Sequence, residues 1–252
     1  MRYKYIMSKK KYLLSLFAVF IMAIPSAEAQ LFQGMVSSGI NLSQVEGDEV
    51  SGFYHLGFTG GIGVMMPLQP SKLTGRWRAS MELLYSRRGA YEKKGVGVKA
   101  PFGYSLTLQY VDIPVMIHYK DPKLDLMFGL GLQYGRLFKV NEQWRLPESP
   151  GGDWVRPLDT ANVPSFNRNE LSIVADVRFG IWKRLKCSIR WQYGLTASRK
   201  GMTYSNSKAP GTTAFYQWNN DYKNHWLTLR LVYVINERST KLKDRNINRN
   251  QY

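Results

Sequence analysis

Apolar and polar residues alternate along several long stretches of the chain. In Leu185–Leu195 the odd positions are leucine, cysteine, isoleucine, tryptophan and tyrosine, whereas the even positions are lysine, serine, arginine, glutamine and glycine. A period of two is typical of a β-strand with one apolar and one polar face. Seven further segments follow this period: Val36–Ser43, Phe58–Met66, Arg78–Ser86, Val111–Tyr119, Leu124–Tyr134, Leu171–Ile181 and Leu227–Ile235. The sequence therefore predicts an all-β protein with eight strands.

The lengths of the strands and of their connections favour a transmembrane barrel over a soluble sandwich. Strands of about ten residues suit a tilted crossing of a bilayer, whereas strands of globular proteins usually have about five or six residues. Short links are predicted at 69–76, 121–122 and 183–184. The alternate links are 44–52, 87–105, 139–168 and 199–224, of which three are long. Short periplasmic turns and long extracellular loops are typical of an eight-stranded antiparallel outer-membrane β-barrel.

The N-terminal segment predicts export. Residues 1–29 combine five basic residues, an apolar stretch of twelve residues (13–24) and the sequence Ala27-Glu28-Ala29, which is the pattern of a cleaved signal peptide. The apolar stretch is too short to span a bilayer as a helix. We therefore interpret 1–29 as a signal peptide, 30–236 as the barrel and 237–252 as a basic periplasmic tail.

Composition narrows the function classes further. An apolar content of 44% is too high for a disordered chain, and one cysteine excludes a disulfide framework and a cysteine-rich zinc site. Removing the leader reduces the basic and acidic counts from 35 and 18 to 30 and 17, a formal charge of +13. Because an exported chain rarely meets nucleic acid, an anionic membrane surface or an acidic polymer is the expected neighbour. The expected partners are outer-membrane lipid and lipopolysaccharide, together with secretion-system or periplasmic proteins.

Charged residues share the inward-facing parity of the predicted strands. Because an eight-stranded barrel is just wide enough for side chains to fill, such charges must be paired. We predict an ionic network that plugs the lumen and fixes the strand register, with a narrow ion path as the alternative. The predicted network links the carboxylates of Glu82, Asp112 and Asp176 to the guanidinium groups of Arg78, Arg178, Arg190 and Arg230. His118 and Glu170 share this parity, whereas Cys187 has the lipid-facing parity.

Catalytic and cofactor signals are weak. His225 lies near the predicted outer rim, where Ser198 and either Asp221 or Glu170 could complete a triad for lipid modification. No spacing makes that triad specific. The sequence contains no phosphate-binding loop and no His-Glu-x-x-His motif. The prediction is a protein without catalysis, cofactor or metal, and an enzyme acting on outer-leaflet lipid is the alternative.

Several short motifs occur together in a characteristic order. Gly39–Ser43 precedes Gly60–Gly63, and Met81–Ala90 precedes Tyr110–Lys120 and Phe128–Gly131. Together they resemble the PorT-like outer-membrane β-barrel family over most of residues 34–135. The resemblance implies an eight-stranded barrel in the outer membrane of a Gram-negative bacterium. One branch of that family is associated with type IX secretion, so an accessory role in protein secretion is the most concrete expectation. The loops 139–168 and 199–224 would then be either partner-binding or variable surface.

Overall fold

The computed structural model describes residues 32–50, 52–68, 76–92, 103–121, 124, 126–145, 154–157, 163–207 and 215–235. The predicted signal peptide and the predicted basic tail lie outside these residues. Within the described part of the chain, no helix is long and apolar enough to cross a membrane.

Ten β-strands account for most of the described residues. Their bounds are β1 Gln33–Glu46, β2 His55–Pro67, β3 Trp77–Tyr91, β4 Gly103–Lys120, β5 Leu126–Arg145, β6 Trp154–Pro157, β7 Asn169–Trp182, β8 Leu185–Gly194, β9 Arg199–Ser207 and β10 Phe215–Val234.

Eight of these strands close into an antiparallel barrel. The order around the barrel is β1-β2-β3-β4-β5-β7-β8-β10, and β10 pairs again with β1, from Met35 opposite Val234 to Glu46 opposite Lys223. Closure pairs the backbone groups that an open sheet would leave exposed at its edges, which a bilayer requires. The eight predicted strands therefore correspond to the eight barrel strands, and the predicted fold class is confirmed.

The predicted parity is also the observed one. In β8, Lys186, Ser188, Arg190 and Gln192 are buried in the lumen, whereas Ile189 and Trp191 are exposed on the outside. Large apolar side chains are exposed around the whole outer wall, including those of Ile62, Leu83, Ile117, Leu130 and Leu229. An apolar exterior around a polar interior is the arrangement that lipid on the outside favours.

The extracellular connections are shorter than predicted, because three strands continue far beyond the bilayer. β4 begins at Gly103, β5 continues to Arg145 and β10 begins at Phe215, so the predicted loops 87–105, 139–168 and 199–224 all contain strand. Above the membrane the outward positions carry polar residues such as Arg87, so the apolar outer face that indicates a membrane strand ends there. At the opposite end, β5 begins two residues later than predicted, because Asp121 accepts a hydrogen bond from the Leu124 amide and its own amide donates to Leu126.

The extended strands form a structure that we call the extracellular cap. On one side, the outer ends of β3, β4 and β5 form one sheet; on the other, β10 pairs with β9, and β9 pairs with β6. Apolar side chains from both sides meet in one buried cluster. Its members are Val45, Ala90, Tyr104, Leu106, Leu108, Tyr110, Leu137, Met202 and Tyr222.

Replacing Asp48 with asparagine is expected to stabilise the turn between β1 and β2. The carboxylate accepts a hydrogen bond from the Val50 amide, and burial raises the pKa of Asp48 well above its ordinary value of 3.8. A raised pKa in the folded state means that the contribution of Asp48 to stability is complete below pH 3.8 and is lost as the pH rises through the raised pKa. Asparagine keeps the acceptor without the charge. At pH 7 the variant should therefore have a higher melting temperature than the unaltered protein, whereas at pH 3 the two proteins should have equal melting temperatures. Equal melting temperatures of the two proteins at pH 7 would contradict this.

Candidate functional site: the filled lumen and the extracellular cap

The periplasmic end of the lumen is closed by an apolar layer. Met35, Met65 and Met127 pack there with Val232 and Val234, and all five side chains are buried. Methionine is flexible and adapts to an irregular space. Arg178 of the next layer donates a hydrogen bond to the Met35 sulfur over 3.3 Å, so the apolar and charged layers are in contact.

The first charged layer is built around two carboxylates on opposite walls. Glu82 of β3 accepts hydrogen bonds from Arg190 over 2.7 Å and from Arg230 over 2.5 Å. Asp176 of β7 accepts from Arg178, Arg190 and Arg230 over 3.1–3.2 Å. Two carboxylates thus hold three guanidinium groups, and the bonds connect β3, β7, β8 and β10. Hydrogen bonds between charged groups are short and strong, and they are directional enough to fix the register of the strands.

Two glycines give these side chains the space that they occupy. A Cβ atom at Gly63 would lie 2.7 Å from Cγ of Glu82, and one at Gly129 would lie 2.4 Å from Nδ1 of His118. His118 is fully buried, and its Nε2 is 2.7 Å from the hydroxyl oxygen of Ser80. Glycine in a strand often marks such a close approach. Gly63 of β2 and Gly129 of β5 therefore serve the packing of the lumen.

The second charged layer is centred on Arg88, which is not a member of the predicted network. Its guanidinium donates to Asp112 over 2.9 Å and to Glu170 over 3.2 Å, and all three side chains are buried. The guanidinium carbon also lies 3.7 Å from the ring centre of Tyr110 and 4.0 Å from that of Trp226. Arginine is suited to this environment because its flat, weakly hydrated cation both stacks on aromatic rings and binds carboxylates.

The structure divides the predicted network into two layers and corrects one pairing. Glu82, Asp176, Arg178, Arg190 and Arg230 are together in the first layer. Asp112, which we expected to bind arginines of that layer, pairs with Arg88 in the second layer, because Asp112 lies opposite Leu84 and thus farther toward the outer end of the barrel. Arg78 lies at the periplasmic end and donates to Gln33 over 3.1 Å.

Formal charges balance across the two layers. Four arginines, at positions 88, 178, 190 and 230, face four carboxylates, at positions 82, 112, 170 and 176. A buried charge without a partner would be costly in this environment. The two layers together therefore carry no net formal charge.

Arg199 joins the two sides of the extracellular cap. It lies on β9 and donates two hydrogen bonds to Glu142 of β5, over 2.6 and 2.8 Å. Its guanidinium carbon is 3.7 Å from the ring centre of Phe166. Burial alone would lower the pKa of Arg199, but the contact with Glu142 outweighs burial and raises that pKa. The Arg199–Glu142 pair is therefore a clamp between the two sides of the cap.

Replacing Arg199 with alanine is expected to loosen the cap while leaving the barrel closed. Hydrogen bonds to charged groups contribute about 1.5–3 kcal/mol, so the local stability of β9 should fall by an amount of this order. Hydrogen exchange measured by mass spectrometry should show faster exchange in β9 and in the outer half of β5. Lys200→Ala, an exposed neighbour on the same strand, is the matched control and should leave exchange unchanged. Unchanged exchange in the Arg199 variant would mean that the clamp is dispensable.

The residues of the suggested triad are not assembled. His225 is on the outer side of the wall, where its Nε2 accepts a hydrogen bond from Trp191 over 2.7 Å and its Nδ1 lies 3.7 Å from a carboxylate oxygen of Glu46. Ser198 donates to the Tyr222 carbonyl inside the cap, and Asp221 accepts from the Gly201 amide. Glu170 belongs to the second charged layer. Among the described residues, no group of three or more histidine, cysteine, aspartate or glutamate side chains could hold a metal ion.

A closed eight-stranded barrel with an apolar outer wall and a charge-paired interior defines an outer-membrane β-barrel protein. The family model of the outer membrane protein beta-barrel domain matches residues 28–200. The match covers more than half of the chain, so the protein belongs to this family and is located in the outer membrane.

Solved structures with a similar fold are very distant in sequence. Ail of Yersinia pestis, in complex with the heparin analogue sucrose octasulfate, is 11% identical with a TM-score of 0.40, over 81% of this chain and 99% of that chain. Neisserial surface protein A is 11% identical with a TM-score of 0.43, over 80% and 97%. OprG of Pseudomonas aeruginosa is 8% identical with a TM-score of 0.33, over 82% and 95%. No curated protein matches the sequence.

Proposed function

We propose that the protein acts without catalysis, as a structural and interaction protein whose filled lumen fixes the barrel and whose extracellular cap contacts a partner. The observation that carries the proposal is the filling of the lumen. An apolar layer, two charged layers and the apolar core of the cap follow one another from the periplasmic to the outer end. Such an interior leaves the surfaces outside the membrane as the places for interaction.

The filled lumen predicts that the purified protein is nearly silent in a planar lipid bilayer. Small barrels are filled by side chains, whereas wide aqueous channels need about 16 strands. At neutral pH, single-channel recordings should show no steady open level, and the Arg199→Ala variant should be equally silent because the charged layers remain. A large and persistent conductance would contradict the plug and favour the small-channel alternative.

The most specific form of the proposal is an accessory role in a type IX-like protein secretion system. The motifs of residues 34–135 that resemble the PorT-like family support it. A gene deletion tests the secretion role. The proteins in the medium, on the cell surface and in the periplasm of the deletion strain are compared with those of the parent. Loss of many secreted proteins, with accumulation of their precursors in the periplasm, is the expected result. An unchanged set of secreted proteins would refute the secretion role.

An enzyme acting on outer-leaflet lipid is the less supported alternative. The contacts of His225, Ser198 and Asp221 place these groups in three different environments. Mass spectrometry should therefore show that the deletion strain and its parent have the same lipid A. A defined change in acylation or phosphorylation that the intact gene restores would favour the enzyme.

A further inference from the structure

Basic residues gather on one part of the outer wall, just above the lipid-facing band. Arg87, Arg136 and Lys139 are exposed on the outward faces of β3 and β5, with Gln109 of β4 between them. Gln109 is the register partner of both Arg87 and Lys139, while Arg136 is the partner of Val111 on the level below. Adjacent strands are about 4.8 Å apart and two residues along a strand span about 6.6 Å, so the three cations start from backbone positions within roughly 12 Å. We call these three residues the basic patch.

The charge of the basic patch is not balanced on its own wall. Among the described residues, the outward faces of β3, β4 and β5 carry no acidic side chain. The rim near β1 and β10 is different: Glu46 is the register partner of Lys223 and also accepts a hydrogen bond from Tyr193. The positive charge of the basic patch therefore lacks the nearby carboxylate that the β1–β10 rim has.

The wall below the basic patch is apolar and continuous with it. Ile113, Leu83 and Leu132 are exposed there, and Tyr85 and Phe138 lie beside the patch with their ring centres 6.1 Å apart. Asn169 of β7 accepts hydrogen bonds from both Arg136 and Tyr134, which holds the Arg136 guanidinium against the wall. A ligand that covers this surface needs an anionic head at the level of the patch and hydrocarbon chains directly beneath it.

We propose that the basic patch is a binding site for the phosphorylated head group of an outer-leaflet glycolipid. Arginine and lysine bind phosphate through charge-assisted hydrogen bonds. A soluble anion would use the patch but not the apolar wall below it. A phosphorylated glycolipid can contact the basic patch with its head group and the apolar wall with its hydrocarbon chains. A barrel in the outer membrane is in contact with this lipid. The proposal thus goes beyond the interaction role suggested for the cap.

Lipid binding to the purified protein tests the proposal. The probe is bis-phosphorylated lipid A, titrated into the protein in phosphatidylcholine nanodiscs and quantified by native mass spectrometry. The variant with Arg87→Gln, Arg136→Gln and Lys139→Gln is expected to bind at least about tenfold more weakly, given the usual contribution of each basic residue near an anionic lipid surface. Lipid A without phosphate should bind the unaltered protein as weakly as bis-phosphorylated lipid A binds the variant.

A matched control separates the patch from total charge. The variant with Arg76→Gln, Lys183→Gln and Arg184→Gln removes the same charge at the periplasmic end and should bind lipid A like the unaltered protein. Heat-modifiable migration in gels verifies that both variants are folded. Equal affinity of the patch variant and the unaltered protein would overturn the proposal. Equally tight binding of phosphatidylglycerol would also overturn it, because the patch would then be an unselective anionic-lipid surface.

Discussion

Replacing Glu82 with alanine is expected to lower the free energy of unfolding by about 3–5 kcal/mol, the usual cost of removing one partner from a buried ion pair. Glu82 accepts hydrogen bonds from Arg190 and Arg230, and its Oε1 also lies 3.8 Å from Arg178. Without it, three guanidinium groups would share Asp176 alone. Urea unfolding in lipid vesicles, followed by tryptophan fluorescence, measures the change.

Two further variants make this prediction specific. Glu46→Ala removes an exposed carboxylate that contacts Tyr193 on the outer rim, and exposed pairs contribute about 0–1 kcal/mol. Combining Glu82→Met with Arg230→Met removes one charge of each sign, and it should recover part of the stability that Glu82→Ala loses. If Glu82→Ala were no more harmful than Glu46→Ala, the first charged layer would not be what holds the barrel in register.

The barrel could be predicted from sequence because lipid imposes a strict pattern on each strand. The outer face must be apolar, and the inner face of a small barrel must be filled by side chains. Apolar and polar residues therefore alternate along each membrane strand. The pattern in β7 and β8 therefore gave both the strands and the inward parity of Asp176, Arg178 and Arg190. The alternation shows whether a side chain faces the lumen or the lipid, but not its position along the barrel axis. The pairing expected for Asp112 was wrong for this reason.

The cap could not be predicted in the same way. Beyond the bilayer the outward face becomes polar, and Arg87, Gln109 and Lys139 interrupt the alternation that marks a membrane strand. β5 also has a register shift opposite Gln109 and Tyr110, which ends the strict period of two. The inward residues Leu106, Leu108 and Tyr110 still alternate in β4, and this was the available signal for the extension of that strand.

Arg88 was missed for the same reason, although its parity was available. The predicted third strand ended at Ser86, while the inward positions of β3 continue through Arg88 to Ala90. The partners of Arg88 are also far away in sequence, since Glu170 lies 82 residues farther along the chain. Only the closed barrel brings β3, β4, β7 and β10 together around one guanidinium.

Replacing Arg88 with alanine should therefore be as harmful as replacing Glu82, with a loss of about 3–5 kcal/mol in the free energy of unfolding. The change leaves Asp112 and Glu170 buried without their cation, and it removes the group that lies against both Tyr110 and Trp226. Urea unfolding in vesicles again measures the loss. Arg88→Lys keeps the charge but not the planar fork that reaches two carboxylates, so it should give an intermediate value.

The adjacent residue provides the sharpest control for Arg88. Arg87→Ala removes the same side chain one position away, on the outer face of the same strand, and surface substitutions usually change stability by about 0.5 kcal/mol or less. A large difference between two neighbouring arginines can arise only from the face of the wall on which each lies. Equal stability of the Arg87→Ala and Arg88→Ala variants would show that the second charged layer contributes nothing to holding the barrel together. The losses from Glu82→Ala and Arg88→Ala should also be nearly additive, because the ion pairs of Glu82 with Arg178, Arg190 and Arg230 share no residue with those of Arg88.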